Sequence, residues 1–172
     1  EGEKLVGELL HSPLKIHSLI AFPSWLEQNK KALSNVNIIE ADEREMHGIS
    51  NFQSLPEVIA LAEIPVHIYR KEEVLDSLSL VLNGIQDPGN LGTILRVADW
   101  FGIGNIFCDA DCAGVYNPKC VQASMGAIFR VKTFYTDLPV LLSELKQEGL
   151  PVFGTFLDGK NIYTTEIGRA HV

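Results

Sequence analysis

The stretch that most narrows the possible folds is the short apolar run Leu78-Ser79-Leu80-Val81-Leu82-Asn83-Gly84-Ile85. It is followed at once by the polar turn Gln86-Asp87-Pro88-Gly89-Asn90, and then by Leu91, Ile94, Leu95, Ala98 and Phe101 at helical spacing. An apolar run of that length, closed by turn residues, fits a buried strand. The spacing after it gives a helix with one apolar face to lay back on the sheet. Strand, tight turn and helix in this order begin a parallel α/β layer, in which ligands bind beyond the carboxyl ends of the strands. The turn lies at such an end, so chemistry is expected there.

The same order recurs downstream. The pattern predicts a strand over 78–85, a helix over 90–101, a strand over 105–108, a helix over 118–124, a strand over 131–134, a helix over 138–148 and a strand over 151–156. Alternation of this kind implies a parallel sheet covered on both faces. The first half reads as a smaller α/β unit, with helices over 3–10, 24–33 (capped by Ser24) and 42–48 (ended by glycine). Its strands are expected over 16–22, 36–39 and 58–64, the last closed by Pro65. Between the halves, Tyr69 to Ser77 is charged and poor in apolar residues, which reads as a linker and divides the chain into domains at 1–72 and 77–172.

Composition limits the function. A formal net charge of −8 argues against a general polyanion binder, because nonspecific nucleic-acid affinity comes from Lys and Arg on phosphates. The charge is uneven. Through Asp76 there are 7 basic and 13 acidic residues, and after it 7 and 9, with Arg96, Lys119, Arg130 and Lys132 in or near the glycine- and proline-marked loops. A local basic surface within an acidic whole is therefore expected. No apolar run approaches the ~20 residues of a membrane span, and nothing points outside the cytoplasm. Cys108, Cys112 and Cys120 lack zinc spacing and read as reduced thiols, with no metal.

Few side chains suit catalysis. Asn90 is placed to cap the helix after the turn while its amide still faces a ligand. Arg96 stands three residues before Asp99. That spacing allows a surface ion pair, or alternatively a phosphate contact beside the strand ends. A second loop, Asp109 to Lys119, ends in Asn117-Pro118, a natural cap followed by a proline at the first helical position. Lys119, Gln122 and Ser124 offer polar groups beyond it. His11, His17, His47 and His67 are scattered singly, and Asp158-Gly159 reads as a turn.

Two blocks carry a resemblance. Asp87-Pro88-Gly89-Asn90-Leu91-Gly92-Thr93-Ile94-Leu95-Arg96-Val97-Ala98-Asp99, followed by Phe101-Gly102, resembles the first motif of the SpoU (TrmH-type) branch of the SPOUT RNA methyltransferases. Asn117-Pro118-Lys119, with Ala123-Ser124-Met125-Gly126-Ala127 and Phe129, resembles its next block. The opening Glu1-Gly2-Glu3-Lys4-Leu5-Val6 is similar to the ribosomal-protein-like α/β/α domain that binds RNA in that branch. The resemblance implies an α/β fold whose second domain is a parallel-sheet SPOUT knot. It also implies S-adenosylmethionine as cofactor, and methyl transfer to a ribose 2'-hydroxyl of rRNA or tRNA.

It further implies Arg96 and Asn90 as catalytic residues, Arg96 helping deprotonation with a neighbouring RNA phosphate. Lys119, Ser124 and Asn117 are then expected on the RNA, and Thr155, Phe156, Leu157 and Gly159 at the cofactor, in a homodimeric cytoplasmic enzyme. The two later knot motifs of the branch are missing. The chain is therefore expected to be truncated at its C-terminus with foreign final residues, to bind S-adenosylmethionine weakly or not at all, and to be inactive alone. A noncatalytic RNA-binding module is the alternative. A nucleotide-binding doubly wound protein fits less well, because Gly84, Gly89 and Gly92 do not make G-x-G-x-x-G.

Overall fold

The computed structural model describes residues 1–33, 36–155, 158–159, 161 and 164. The first half holds α1 (Glu3–Leu10), β1 (Ile16–Ala21), α2 (Pro23–Asn29), a 3-10 turn (Lys30–Ala32), β2 (Ile38–Glu40), α3 (Glu43–Ile49) and β3 (Val58–Ala62). Its sheet has the order β2-β1-β3, with β2 parallel and β3 antiparallel to β1. Val6 of α1, Leu19, Ala21, Trp25, Leu26 and Val58 form its core. Asp42 starts α3 through a capping box, its side chain accepting from Glu45 N while the Glu45 carboxylate accepts from Asp42 N. The cap expected at Ser24 is absent. Pro23 takes the first helical position, so α2 begins one residue earlier and the missing proline N–H leaves one orphan donor fewer to cap.

The second half contains α4 (Lys71–Leu75), β4 (Ser79–Leu82), α5 (Pro88–Trp100), β5 (Asn105–Cys108) and α6 (Pro118–Ser124). A 3-10 turn (Ala127–Phe129), β6 (Lys132–Tyr135) and α7 (Leu138–Gln147) complete it. The strands are all parallel in the order β4-β5-β6, and β5 is buried throughout. Alternation along β5 divides the core into two layers. Ile106 and Cys108 pack with Leu91, Leu95 and Ala98 of α5 and Cys120 of α6. Phe107 faces the other way, against Val74, Leu138, Leu141 and Leu145. Each fully buried aliphatic side chain contributes about 1.5–3 kcal/mol.

Two expectations fail. The passage read as a linker contains α4, whose Val74 is buried over Phe107, and Tyr69 meets the Phe107 ring edge-on at 5.5 Å. Lys71 pairs with Glu148, and Glu73 with Lys132 at 2.5 Å, so tertiary contacts order this charged turn. The strand expected over 151–156 does not form over 151–155. Val152 and Phe153 are exposed there, and the described residues offer that segment no pairing partner.

The halves meet at a clamp. Arg130 donates to Glu8 of α1 at 2.7 Å and, through Nε and Nη2, to Asp99 of α5 at 2.8–3.0 Å. Gly126, at φ 93°, passes so close that a Cβ would stand 2.9 Å from Glu8 Cγ. Beside the clamp, an apolar cavity of about 140 Å³ separates Leu5 and Leu9 from Val121, Ile128 and Phe129. No described helix is long and apolar enough to cross a membrane.

Candidate active site

The loops after β4 and β5 are tied to each other before either reaches a helix. Asp109 accepts from Gly84 N at 3.0 Å and from Cys112 N at 3.0 Å, and Ala113 N donates to Ile85 O at 2.8 Å. The Cys112 thiol donates to Leu82 O and accepts from Ile85 N. The thiol and the Gly84 N–H hold the Asp109 carboxyl below the usual carboxylate range. From β6, the Tyr135 hydroxyl donates to Ala113 O at 2.6 Å and accepts from Val115 N at 2.8 Å. All three cysteines are free and buried, and burial pushes Cys108 up to about 12 and Cys120 to about 11. Protonated and enclosed, these thiols serve packing rather than nucleophilic chemistry.

Helix α5 starts differently from the expectation. Asp87, not Asn90, is its cap: Pro88 occupies the first helical position and Asp87 Oδ1 accepts from Asn90 N at 2.8 Å. Asn90 is exposed at the third helical position, and its side-chain amide has no partner among the described residues. The other Asp87 oxygen accepts from Lys119 Nζ at 2.7 Å. Lys119, then the Asn90 N–H, hold the Asp87 carboxyl below its ordinary range. One side chain thus caps α5 and ties it to the start of α6. Asn117 caps α6 as expected, its Oδ1 accepting from Lys119 N at 2.9 Å.

Arg96 is exposed on α5, and the ion pair with Asp99 does not form, because Asp99 is held by Arg130. Among the described residues no carboxylate pairs with Arg96. Its Nη1 lies 3.1 Å from Met125 Sδ. Met125 ends α6 at φ 49°, the left-handed conformation a non-glycine residue adopts at a cost of roughly 1–2 kcal/mol. Nothing local marked it out as a contact of Arg96, since this contact depends on how two helices cross.

Ser124, expected on the RNA, is a correction. It is fully buried, so it is not presented to RNA, and its Oγ donates to Val121 O at 2.7 Å. Lys119 and Asn117 instead line an open groove of about 570 Å³ with Gly89 and Gln122, which Asn51 and Phe52 of the first half also line. Sequence reasoning missed those two, which stand in a loop without a motif. Of the residues expected at the cofactor, Thr155 and Gly159 are exposed and line neither this groove nor the apolar cavity, while Phe156 and Leu157 lie outside the described residues. The described residues do not by themselves enclose an adenosyl group.

This arrangement of α5, its capped start and the loops after β4 and β5 falls in the segment, residues 77–171, that matches the profile of the SpoU rRNA Methylase family. The chain belongs to that family. Among SpoU relatives, the 23S rRNA (guanosine(2553)-2'-O)-methyltransferase RlmP of Bacillus subtilis is 29% identical over 91% of this chain and 61% of its own length. A TrmH-family protein from Porphyromonas gingivalis has a solved structure with a TM-score of 0.83 and 36% identity, covering 96% of this chain and 64% of that one. The SpoU methyltransferase AviRb of Streptomyces viridochromogenes, solved with AdoMet, shares the fold at a TM-score of 0.69 and 19% identity, over 86% of this chain and 58% of its own. The chain therefore spans about three fifths of the length of these SpoU proteins.

Proposed function

We propose that this protein is an RNA (ribose-2'-O)-methyltransferase that moves a methyl group from S-adenosylmethionine to a 2'-hydroxyl of ribosomal RNA, the substrate class of its RlmP relative. The observation that carries the reading is Arg96: an exposed guanidinium on α5 that pairs with no carboxylate among the described residues, Asp99 three residues on being held by Arg130. A guanidinium stays protonated at neutral pH and is a donor, not a base. Its planar fork suits bidentate contact with an RNA phosphate. Held there, Arg96 fixes the neighbouring ribose and stabilises the negative charge that grows on O2' as the methyl group arrives and the proton passes to solvent. Asn90, one turn and a half earlier, offers a free amide to orient the same ribose or phosphate. S-adenosylmethionine, when bound, supplies the electrophilic methyl group. We place the enzyme in the cytoplasm as a homodimer, with Lys119 and Asn117 on the RNA.

Methyl transfer from tritium-labelled S-adenosylmethionine to total rRNA and to tRNA tests this, with the full-length protein and its Arg96→Ala variant side by side. Loss of one preorganised donor lowers such rates by about 100- to 1,000-fold, so Arg96→Ala is expected to lose at least 99% of the activity with an unchanged circular dichroism spectrum. Equal activity in the variant removes Arg96 from the reaction. RNA binding without transfer to any RNA pool makes the protein a noncatalytic RNA-binding module.

A further inference from the structure

The groove between the halves is chemically unlike the surface around Arg96. Its cation, Lys119, is already paired with Asp87, so it offers little net charge. What remains is an aromatic ring, Phe52, and the amides of Asn117 and Gln122, all lining the same groove. Asn117 spends its oxygen on Lys119 N, and among the described residues its Nδ2 and the whole Gln122 amide have no protein partner. The loop carrying Phe52 is held in place. Ser50 Oγ donates to Glu1 Oε2 at 2.8 Å, Asn51 N and Nδ2 donate to Glu1 Oε1, and Phe52 N donates to Ser50 Oγ at 3.0 Å. A ring on an anchored loop, lining one groove with uncommitted amides and little net charge, suits a nucleobase better than a phosphate backbone. Unpaired bases are bound by stacking on aromatic side chains and by hydrogen bonds along their edges.

The groove also lies in line with Arg96. Gly89 is one of its lining residues, and Thr93, whose Oγ1 donates to Gly89 O at 2.9 Å, leads along α5 to Arg96. Seven residues of helix place Arg96 about 10 Å further on, close enough for neighbouring nucleotides of one strand to occupy both places. We propose that the groove takes an unpaired nucleobase beside the modified nucleotide, stacked on Phe52 and read at its edge by Asn117 and Gln122. It is thus a specificity site assembled from both halves of one chain. This rests on the RNA methyltransferase reading, and the two are tested separately below.

The probe is a fluorescein-labelled RNA hairpin with a seven-nucleotide loop, compared with the same strand in a blunt duplex by anisotropy at several salt concentrations. Phe52→Ala and Phe52→Leu are each expected to weaken hairpin binding by about tenfold, as loss of one stacked base does, while Phe52→Tyr binds like the parent. The salt dependence is unchanged in the Phe52 variants, because stacking releases no counterions, and becomes shallower by about 0.7 in Arg96→Ala, which loses a phosphate. Gln122→Ala, at an exposed position, keeps the fold and narrows the difference in affinity between loops that differ at one unpaired base. Binding by Phe52→Leu within twofold of the parent, or no loop preference for Gln122→Ala to narrow, overturns the proposal. So does equal binding of duplex and hairpin.

Methyl transfer is followed in parallel. If Arg96→Ala abolishes transfer while Phe52→Ala and Phe52→Leu bind normally, the groove falls and the enzyme stands. If Phe52→Ala and Phe52→Leu bind weakly but no RNA is methylated, the groove stands without the enzyme.

Discussion

Gly92 sits where α5 and α6 cross with almost no room between them. A Cβ there would stand 2.5 Å from Cys120 O and 2.7 Å from Ala123 Cβ, and the first of these is backbone that cannot turn aside. Gly7, inside α1, has nothing within 4 Å of its would-be Cβ. The two glycines should respond oppositely to one methyl group. Gly92→Ala is expected to destabilise the protein by about 1–3 kcal/mol through overpacking. Gly7→Ala is expected to stabilise it by about 0.5–1 kcal/mol through helix propensity. Urea unfolding of both variants checks this, and equal midpoints would mean that the helix crossing can relax. Gly92 belongs to the block that resembles the family motif, but the sequence does not say that its role is to let two helices approach. That fact depends on Cys120, twenty-eight positions away.

At the level of elements, the start of α5 combines local and distant chemistry. The cap could be read locally: a proline prefers the first helical position, which makes the residue before it the cap, so Asp87 rather than Asn90 follows from Pro88. The Asn117-Pro118 start of α6 obeys the same rule and was legible for that reason. Element α4 was not. Its five residues carry Lys71, Glu72 and Glu73, and only burial of Val74 over Phe107 and ion pairs to Glu148 and Lys132 make the segment helical. Ser124 fails similarly, since its inward direction is set by the α5–α6 crossing.

The acid behaviour of this region follows from the cap at Asp87 and the loop tie at Asp109. Asp87 and Asp109 are both held below their ordinary 3.8. Stability from a lowered carboxyl is complete above the ordinary value and is lost as pH falls through the lowered one. The double variant Asp87→Asn, Asp109→Asn should therefore lose less stability than the parent between about pH 4 and pH 2, measured as the thermal midpoint across that range. Identical acid slopes would remove both carboxyls from the linkage.

Over the whole molecule, two small sheets with separate cores are joined by a clamp of half-exposed charges. Isolated surface pairs contribute about 0–1 kcal/mol, so Arg130→Ala should lower global stability only slightly. It should act instead on the connection, where Ile64, Val66 and Ile68 are exposed between β3 and α4. Chymotrypsin is expected to cut the native variant at Tyr69 several times faster than the parent, and 1 M salt should speed the parent's cleavage by screening the clamp. Equal rates would show that apolar contacts around the small cavity suffice to hold the halves together. The parallel order of β4-β5-β6 was legible from alternating strands and helices, and the mixed pairing of the first sheet was not, because strand direction there is set by connections rather than by composition.

The clamp also has a place in time. Arg130 follows Glu8 by 122 residues, which at ribosomal speeds of about 5–20 residues per second separates their appearance by roughly ten seconds. The sheet of the first half has every strand it needs long before then. It emerges as a nearly finished piece with the apolar side of α1 uncovered, and waits for the middle of the second half to close over it. During that interval the nascent chain is expected to be at its most adhesive, and a chaperone that covers Leu5 and Leu9 would be occupying ground that Ile128 and Phe129 later claim.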